Sequence, residues 1–471
     1  MAKADTNIAV VARAGGRTNE VCIILRSGSD TIFALSSGHG RSGVAVIRIS
    51  GPEAGAAVDR MAAPRPKPRF AAFRKIKHPH TGEVLDEALV LWFPAPKSET
   101  REDMAEFQVH GGRAVIQGVL AALGAIEGCR MAEPGEFARR ALENGKLDIT
   151  GAEGLADLVD AQTAAQRRQA LRQAGGSLFR LYEAWRWRLI GAMAQLEAGI
   201  DFSDEADVAA GTLKKARSEV EALAKDIATH LDDGHRGELL REGFHVVLAG
   251  PPNAGKSSLL NALARRDVAI VSEEAGTTRD VIEVRLELEG FPVIISDTAG
   301  VREPTGKVEQ EGIRRTVARA READLILWLI DVTAPPAAVP AEIAAKADRT
   351  LVIANKMDLL ASGVLHPLPG GAIGISVLTG DGMDSLARRL TAFVRARIGE
   401  SEAPVLTQAR HRQQLERCMA PLKSFLGSPM GEVELRAEDL RRAAHALGRL
   451  TGAVDVEDVL DQVFSRFCIG K

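Results

Sequence analysis

At 471 residues the chain has room for two to four domains, taking about 100 to 200 residues for each. Hydrophobic residues make up 45% and charged residues 26%, with a net charge of −3; this is an ordinary soluble globular make-up without a global basic excess, so any RNA contact must come from local patches. The widely spaced Cys22, Cys129, Cys418 and Cys468 exclude a dense disulfide framework and a close-spaced zinc site, fitting a reducing cytosol, and the apolar run Leu325 to Val332 is far too short to span a bilayer.

Residues 1–28 contain Arg, Asp and Glu without a continuous apolar run, so they do not read as a signal peptide and form an extension of unknown role. From Ser29 the short apolar runs "SDTIFAL", "VAVIRISG" and "EALVLWFPAP" alternate with Gly and Pro, which predicts an α/β domain over 29–147. Leu155, Leu158, Val159 and Gln162 then fall at helical spacing, and Ala, Gln, Arg and Leu dominate to about Asp204, predicting a first helical piece over 148–242. Over 243–399 the apolar runs "HVVLAG", "PVIISDTAG", "LILWLID", "TLVIANK" and "AIGIS" alternate with helical stretches, the pattern of a parallel sheet flanked by helices. Residues 400–471 return to helical spacing. The expected fold class is multidomain α/β plus all-α: an N-terminal α/β domain, a discontinuous helical domain, and an inserted α/β domain with a parallel sheet flanked by helices.

The most specific chemistry lies in the inserted domain. "GPPNAGKS", Gly250 to Ser257, follows one apolar strand and precedes a helix. Its glycines let backbone N–H groups wrap a phosphate chain, Lys256 bridges the outer phosphates, and Ser257 offers a hydroxyl to Mg²⁺. "DTAG", Asp297 to Gly300, ends a strand where a carboxylate holds Mg²⁺ through water, and the Gly300 N–H senses a γ-phosphate. "GTTRD" supplies Thr278 as a second Mg²⁺ hydroxyl. In "NKMD", Asn355 to Asp358, the last carboxylate accepts from the N1–H and exocyclic amine of guanine, which adenine does not present in that arrangement. "SVLTG", Ser376 to Gly380, rims the base. Four ordered motifs at strand ends lead us to expect a Ras-like P-loop GTPase in the inserted domain. Its GTP-contacting set is Asn253, Ala254, Gly255, Lys256, Ser257 and Ser258; Ser272, Glu273, Glu274, Ala275, Gly276, Thr277 and Thr278; Asp297, Thr298, Ala299 and Gly300; Asn355, Lys356, Met357 and Asp358; and Ser376, Val377 and Leu378.

Val301 stands where many switch GTPases carry a water-positioning Gln, so hydrolysis needs another route. Asn253 offers a carbonyl oxygen for a monovalent cation beside the β and γ oxygens, or simply stabilises the tight loop. Glu309, by spacing alone, reads as a solvated helix-start carboxylate or as a residue that reaches attacking water.

"GPPNAGKSSLLNALARRDVAIVSEEAGTTRDVIE", "DTAGVRE" and "VEQEGIRR", together with "GVAVIRISGPEA", "EFQVHGG", "EPGEFARRALENGKLDITGAEGLADLVDAQT", "AGIDFSDE" and "FCIGK", resemble the potassium-dependent tRNA-modifying GTPases of the MnmE (TrmE) family over roughly residues 29 to 471. The resemblance implies that Asn253, the backbone carbonyls of Ser272 and Glu274, and Thr277 hold K⁺, and that Glu309 is the hydrolytic carboxylate. It implies a cytoplasmic homodimer whose GTPase modules meet across the nucleotides. A heterotetramer with the flavin-dependent MnmG (GidA) then adds an aminomethyl or carboxymethylaminomethyl group to C5 of the wobble uridine in certain tRNAs. The one-carbon donor it implies is 5,10-methylene-tetrahydrofolate or a related folate, contacted by Arg48, Glu106, Lys146 and Lys471; from the residues alone, the first three read as a strand-edge Arg, a half-exposed strand Glu and a helix-start Lys. Arg101 replaces a Gly common in the family, and Ser36 to Gly43 departs from its usual Pro-Gly-rich form.

Three further features stay open. His110 before two glycines invites a catalytic reading, or it caps a loop or lines a pocket. Arg167, Arg168, Arg172, Arg180, Arg186 and Arg188, interleaved with Trp185 and Trp187, attract phosphate or form a solvated helix face anchored by Trp. Near the C-terminus, Val456, Val459, Leu460, Val463, Phe464 and Phe467 repeat at helical spacing, with Asp455 a candidate N-cap and Gly470 a release point; Lys471 fits poorly in a prenylation box. Spacing makes Cys468 a small buried residue, whereas the resemblance makes it part of a tail needed for tRNA modification. The rival from another class is an RNA-binding switch GTPase of ribosome assembly without modification activity. A membrane-remodelling GTPase would need a lipid-binding amphipathic tip, which the sequence does not offer.

Overall fold

The computed structural model describes residues 30–38, 40–201, 206–265, 283–297, 323–334, 339–360, 368, 371–399, 403–427, 433–454, 460, 463–465, 467 and 469–470. The chain forms two compact units: Met1–Ala156 with Gln173–Ala224 and Arg417–Lys471, and Asp157–Arg172 with Lys225–Glu416.

The first unit begins with a six-stranded sheet built from β1 (Thr31–Leu35), β2 (Ser42–Ser50), β3 (Ala72–Lys77), β4 (Val84–Phe93), β5 (Met104–Gly111) and β6 (Cys129–Met131), in the order β3-β4-β5-β2-β1-β6. All neighbours are antiparallel except β1 and β6. The strand period of two sorts the side chains. Ala45, Ile47 and Ile49 of β2, Ala88, Val90 and Trp92 of β4, and Ala105, Phe107 and Val109 of β5 share one buried core with α1 (Ala54–Ala62) and α2 (Arg113–Gly124). The alternating set, including Arg48 and Glu106, faces the other way. Next to it, Ile32 and Ala34 of β1 pack with Phe137 of α3 (Glu136–Glu143).

Helices α4 (Ile149–Asp160), α5 (Ala164–Ala174), α6 (Ser177–Asp201) and α7 (Ala206–Leu231) follow. The helical spacing that was expected to run through Gln162 instead stops at Asp160. The reason is a reciprocal cap: Gln166 Oε1 accepts from the Thr163 N–H at 3.1 Å while Thr163 Oγ1 accepts from the Gln166 N–H at 3.3 Å, which starts a new helix. In α6, Leu178, Tyr182, Trp185, Leu189, Ala192 and Leu196 are all buried at alternating steps of four and three. That is the apolar seam of a helix packed lengthwise on another, and the partner is α13 (Val433–Thr451), which buries Leu440, Ala443, Leu447 and Leu450. Leu460, Val463, Phe464 and Phe467 close a smaller core with Ala138, Ile149 and Ala152.

In the second unit, α8 (Arg236–Glu242) leads into β7 (Phe244–Ala249), α9 (Lys256–Ala264), β8 (Glu283–Leu288), β9 (Phe291–Asp297), β10 (Leu325–Asp331), α10 (Ala341–Ala344), β11 (Thr350–Asn355), β12 (Ile373–Gly374) and α11 (Met383–Ile398). The sheet order is β12-β11-β10-β7-β9-β8, parallel except for the β8–β9 pair. Its central strands are covered on both faces, by the core containing Val246, Leu248, Leu259 and Leu386 and by that containing Val247, Ala249 and Trp328. Burial on both faces is why these strands read as unbroken apolar runs. Helix α12 (Ala409–Gly427) begins in this unit, where Arg412 pairs with Asp233 at 2.7 Å and Glu238 at 3.2 Å.

Candidate functional site

The phosphate loop joins β7 to α9, and it turns only because Gly250, Asn253 and Gly255 take positive φ values of 140°, 63° and 95°. Lys256 is buried at the first position of α9, and its ammonium donates to the carbonyls of Gly250 and Pro251, both at 2.9 Å, so it lies across the inside of the loop. Burial pushes the Lys256 ammonium below the ordinary lysine range, against the opposing pull of Asp297. Ser257 Oγ donates to Asp297 Oδ2 at 2.6 Å, and Asp297 ends β9 with no solvent exposure. A hydroxyl and a carboxylate converging at a helix N-terminus are hard oxygen ligands of the kind Mg²⁺ takes together with phosphate oxygens.

The far side of the site is sewn together by Asn355, at the end of β11. Its Nδ2 donates to Ala254 O at 2.9 Å, and its Oδ1 accepts from the Val377 N–H at 3.3 Å, so one buried amide ties the phosphate loop to the segment after β12. Ser376 Oγ donates to Asp358 Oδ1 at 2.5 Å, which orients the carboxylate expected from the sequence to read guanine. Lys356 follows with φ +68° and pairs with Asp331 Oδ2 at 2.5 Å. Leu378 is 85% exposed and carries no packing role. The structure therefore brings together residues 253–258, 297, 355–358 and 376–377. Ser272, Glu273, Glu274, Ala275, Gly276, Thr277, Thr278, Thr298, Ala299, Gly300 and Glu309 lie outside the described residues.

In the first unit, Arg48 and Glu106 are register partners across β2 and β5, and they form an ion pair at 3.0 Å with both guanidinium bonds landing on Glu106 Oε1. Thus neither is a solitary strand residue. The guanidinium also lies 5.8 Å from the Phe137 ring centroid. Lys146 is not at a helix start: it sits in the turn between α3 and α4, where Nζ donates to Ser98 O at 2.8 Å and pairs with Glu99 at 3.1 Å. Arg101 in the same loop has φ +61°, the left-handed region that suits glycine. Its guanidinium donates to Asn144 O at 2.9 Å, and Asn144 Nδ2 donates to Thr100 O at 2.7 Å, so the strained residue is held at both ends.

The tail reaches this unit as well. Ile469 forms a β-bridge with Pro134, and Ser36 Oγ donates to Gly470 O at 2.8 Å. Gly470 has φ +100°, and a Cβ there would lie 2.1 Å from Leu35 O. The glycine's role is thus close approach to β1 rather than simple release from a helix. Residues 455–459, Cys468 and Lys471 lie outside the described residues.

The open features resolve in part. His110 is tied to β4: its ring Nδ1 is 2.8 Å from Asp86 Oδ1, its backbone N–H donates to Asp86 Oδ2 at 2.7 Å, and its side chain is exposed. Trp185 is buried at 5% exposure and anchors α6, whereas Trp187 is 50% exposed. Arg186 pairs with Glu183 and Arg188 with Glu219, which favours the solvated, internally paired face for these two. Among the described residues no group of His, Cys, Asp and Glu is set to hold a metal ion, and burial pushes the Cys418 thiol up to about 12.

Sequence reasoning missed three residues. Asp331 was visible only as the acid ending "LILWLID"; its alignment with Asn355 is a matter of strand register. Thr333, two residues on, holds it in place. Arg140 is 2% exposed and bonds Asp30 at 3.1 Å, Glu102 at 3.3 Å and Glu136 at 3.0 Å. Its only trace in sequence is the i,i+4 spacing from Glu136.

A strand, a glycine-rich loop with Lys256 and Ser257 opening a helix, a buried strand-end carboxylate and a guanine-reading turn define a P-loop GTPase. The family described as MnmE helical domain matches residues 149–468, and that described as GTP-binding protein TrmE N-terminus matches 31–146. The tRNA modification GTPase MnmE of Parvibaculum lavamentivorans is 53% identical over 94% of this chain and 100% of that protein, and its namesake in Paramagnetospirillum magneticum is 51% identical over the same shares. The Rhodospirillum rubrum protein of that name is 50% identical over 94% of this chain and 99% of its own length. The chain belongs to the MnmE (TrmE) family of tRNA modification GTPases. Among solved structures, the G domain of the T. maritima FeoB iron transporter covers 32% of this chain and 98% of its own length, with 20% identity and a TM-score of 0.23. Among the described residues no helix is long and apolar enough to cross a membrane.

Proposed function

We propose that this chain is the potassium-dependent GTP hydrolase and folate-binding subunit of a cytoplasmic tRNA-modifying complex. With a flavin-dependent partner of the MnmG (GidA) type it adds an aminomethyl or carboxymethylaminomethyl group to C5 of the wobble uridine of certain tRNAs. The relatives named as tRNA modification GTPases support tRNA as the substrate.

The observation that carries this reading is that one chain holds two distinct sites: a phosphate loop with the Ser257–Asp297 contact, and a paired Arg48–Glu106 on a sheet face of the N-terminal domain. In the first, Ser257 and Thr278 would hold Mg²⁺, Asn253, Ser272, Glu274 and Thr277 would hold K⁺ to supply the positive charge of an arginine finger, and Glu309 would position the attacking water. In the second, Glu106 keeps Oε2 to accept from the amide and amino edge of a pterin, while Arg48, Lys146 and Lys471 supply positive charge for the glutamate tail. The bound folate supplies the one-carbon unit. Two copies pair so that their GTPase modules face one another across the nucleotides, and Cys468 serves the modification step.

The test is mass spectrometry of tRNA nucleosides from a strain lacking the gene. Loss of 5-substituted wobble uridine, restored by the wild-type gene, is the expected result; normal levels would sink the modification reading and leave a switch GTPase. GTP hydrolysis is expected to be faster in KCl than in NaCl, and Asn253→Ala to remove the difference. Equal rates in the two salts would remove the K⁺ assignment.

A further inference from the structure

The described guanine-reading residues depend on a strained backbone that needs an explanation. Lys356 follows the last residue of β11 at φ +68°, a region a residue with a side chain keeps only when its surroundings over-determine it. Met357–Leu359 then form a short 3₁₀ turn that carries Asp358 to Ser376. Any change at Lys356 is therefore passed on to Asp358.

Lys356 is held from the neighbouring strand. Asp331 ends β10 in parallel register with Asn355, and its Oδ2 accepts from Lys356 Nζ at 2.5 Å. Its other oxygen, Oδ1, accepts from the Thr333 N–H at 2.9 Å and the Thr333 hydroxyl at 2.7 Å. With both oxygens engaged the carboxylate cannot swing with its partner. The pair is partly shielded, with side-chain exposures of 32% for Lys356 and 12% for Asp331, so water screens it less than it would a pair on the open surface.

We propose that Asp331 is a positioning residue for base selection: by fixing the Lys356 side chain it fixes the left-handed backbone there, and with it the placement of the Asp358 carboxylate that distinguishes guanine. Asp331 acts through Lys356 and is not itself a guanine ligand. The inference rests on the GTPase site alone and is independent of the folate, K⁺ and tRNA readings.

The test compares GTP with ITP, whose base lacks the exocyclic amine, as substrates of the full-length protein and its variants. Asp331→Asn keeps the shape and removes the charge. The expected result is a KM for GTP raised about tenfold with kcat nearly unchanged, the scale of one charge-assisted anchor, together with a reduced preference for GTP over ITP. On a Lys356→Met background, Asp331→Asn adds no further loss. An unchanged KM and preference would overturn the proposal. So would a lowered kcat or melting temperature with the GTP-to-ITP preference intact, since that is what a merely structural residue gives. If Asp331→Asn does not fold, Thr333→Val decides: a smaller shift of the preference in the same direction supports the role, and no shift overturns it.

Discussion

Asn355 stands in the space that a side chain on Gly255 would need: a Cβ there would lie 2.3 Å from Asn355 Nδ2, and Gly255 has φ +95°. The same amide nitrogen donates to Ala254 O at 2.9 Å. The residue that ends β11 thus also sets the phosphate loop. Gly255→Ala must either displace Asn355 or twist the loop, and we expect GTP affinity to fall at least tenfold with a loss of about 1–3 kcal/mol in stability, as for other clashes at positive φ. Titration with a fluorescent GTP analogue and thermal unfolding check both; wild-type affinity would mean the loop relaxes freely.

Ser257→Ala removes the donor at 2.6 Å from Asp297, a carboxylate with no solvent exposure. Losing one hydrogen-bond partner of a buried charged group costs about 1–3 kcal/mol. The expected signature is a higher Mg²⁺ concentration for half-maximal hydrolysis and a lower kcat. Hydrolysis assayed across a Mg²⁺ series reads it out, and a curve superimposable on wild type would separate Ser257 from the metal.

Arg140 gathers Asp30, Glu102 and Glu136 in the first unit. Burial pushes the Asp30 and Glu136 carboxyls up, but hydrogen bonds and charge from Arg130 and Arg140 outweigh it and hold both below the ordinary carboxylate range. A depressed folded pKa gives stability that is whole above the unfolded value and is lost as pH falls through the folded one, so this unit weakens from about pH 5 downward. Arg140→Met takes one cation from Asp30, Glu102 and Glu136 while Arg130 still pairs with Asp30 and Glu136, and it is expected to cost about 1–3 kcal/mol at neutral pH, with a flatter acid limb. Thermal unfolding at a series of pH values measures both.

Gly470→Ala sets a methyl against Leu35 O and loosens the segment that Ser36 and Pro134 hold. Hydrogen exchange over 460–470 is expected to speed up and wobble-uridine modification to drop several-fold, while GTP hydrolysis stays at the wild-type rate. Full modification by this variant would show that tail placement is irrelevant to the reaction.

What was legible in the sequence is what depends on neighbours in the chain. The phosphate loop, the strand ending in Asp297 and the turn at Asn355 to Asp358 each announce themselves within a few residues. Strand register does not: nothing between Leu325 and Asp358 says that Asp331 falls beside Asn355, and nothing between Arg48 and Glu106 says that those two fall side by side. The break between α4 and α5 was hidden because Thr163 and Gln166 cap each other inside a continuous helical pattern. Arg101 shows the opposite case, where sequence marked a departure and the backbone explains it, since its φ of +61° is where a glycine would rest without strain.

Ser36 and the carbonyl it holds at Gly470 are 434 residues apart in the chain. During synthesis, β1 and β2 leave the ribosome long before that partner exists, and the docking edge beside Leu35 waits through the making of the whole GTPase domain. The Ser36–Gly470 contact therefore forms late, so an unfinished chain cannot hold this segment, however well its earlier sheet has folded.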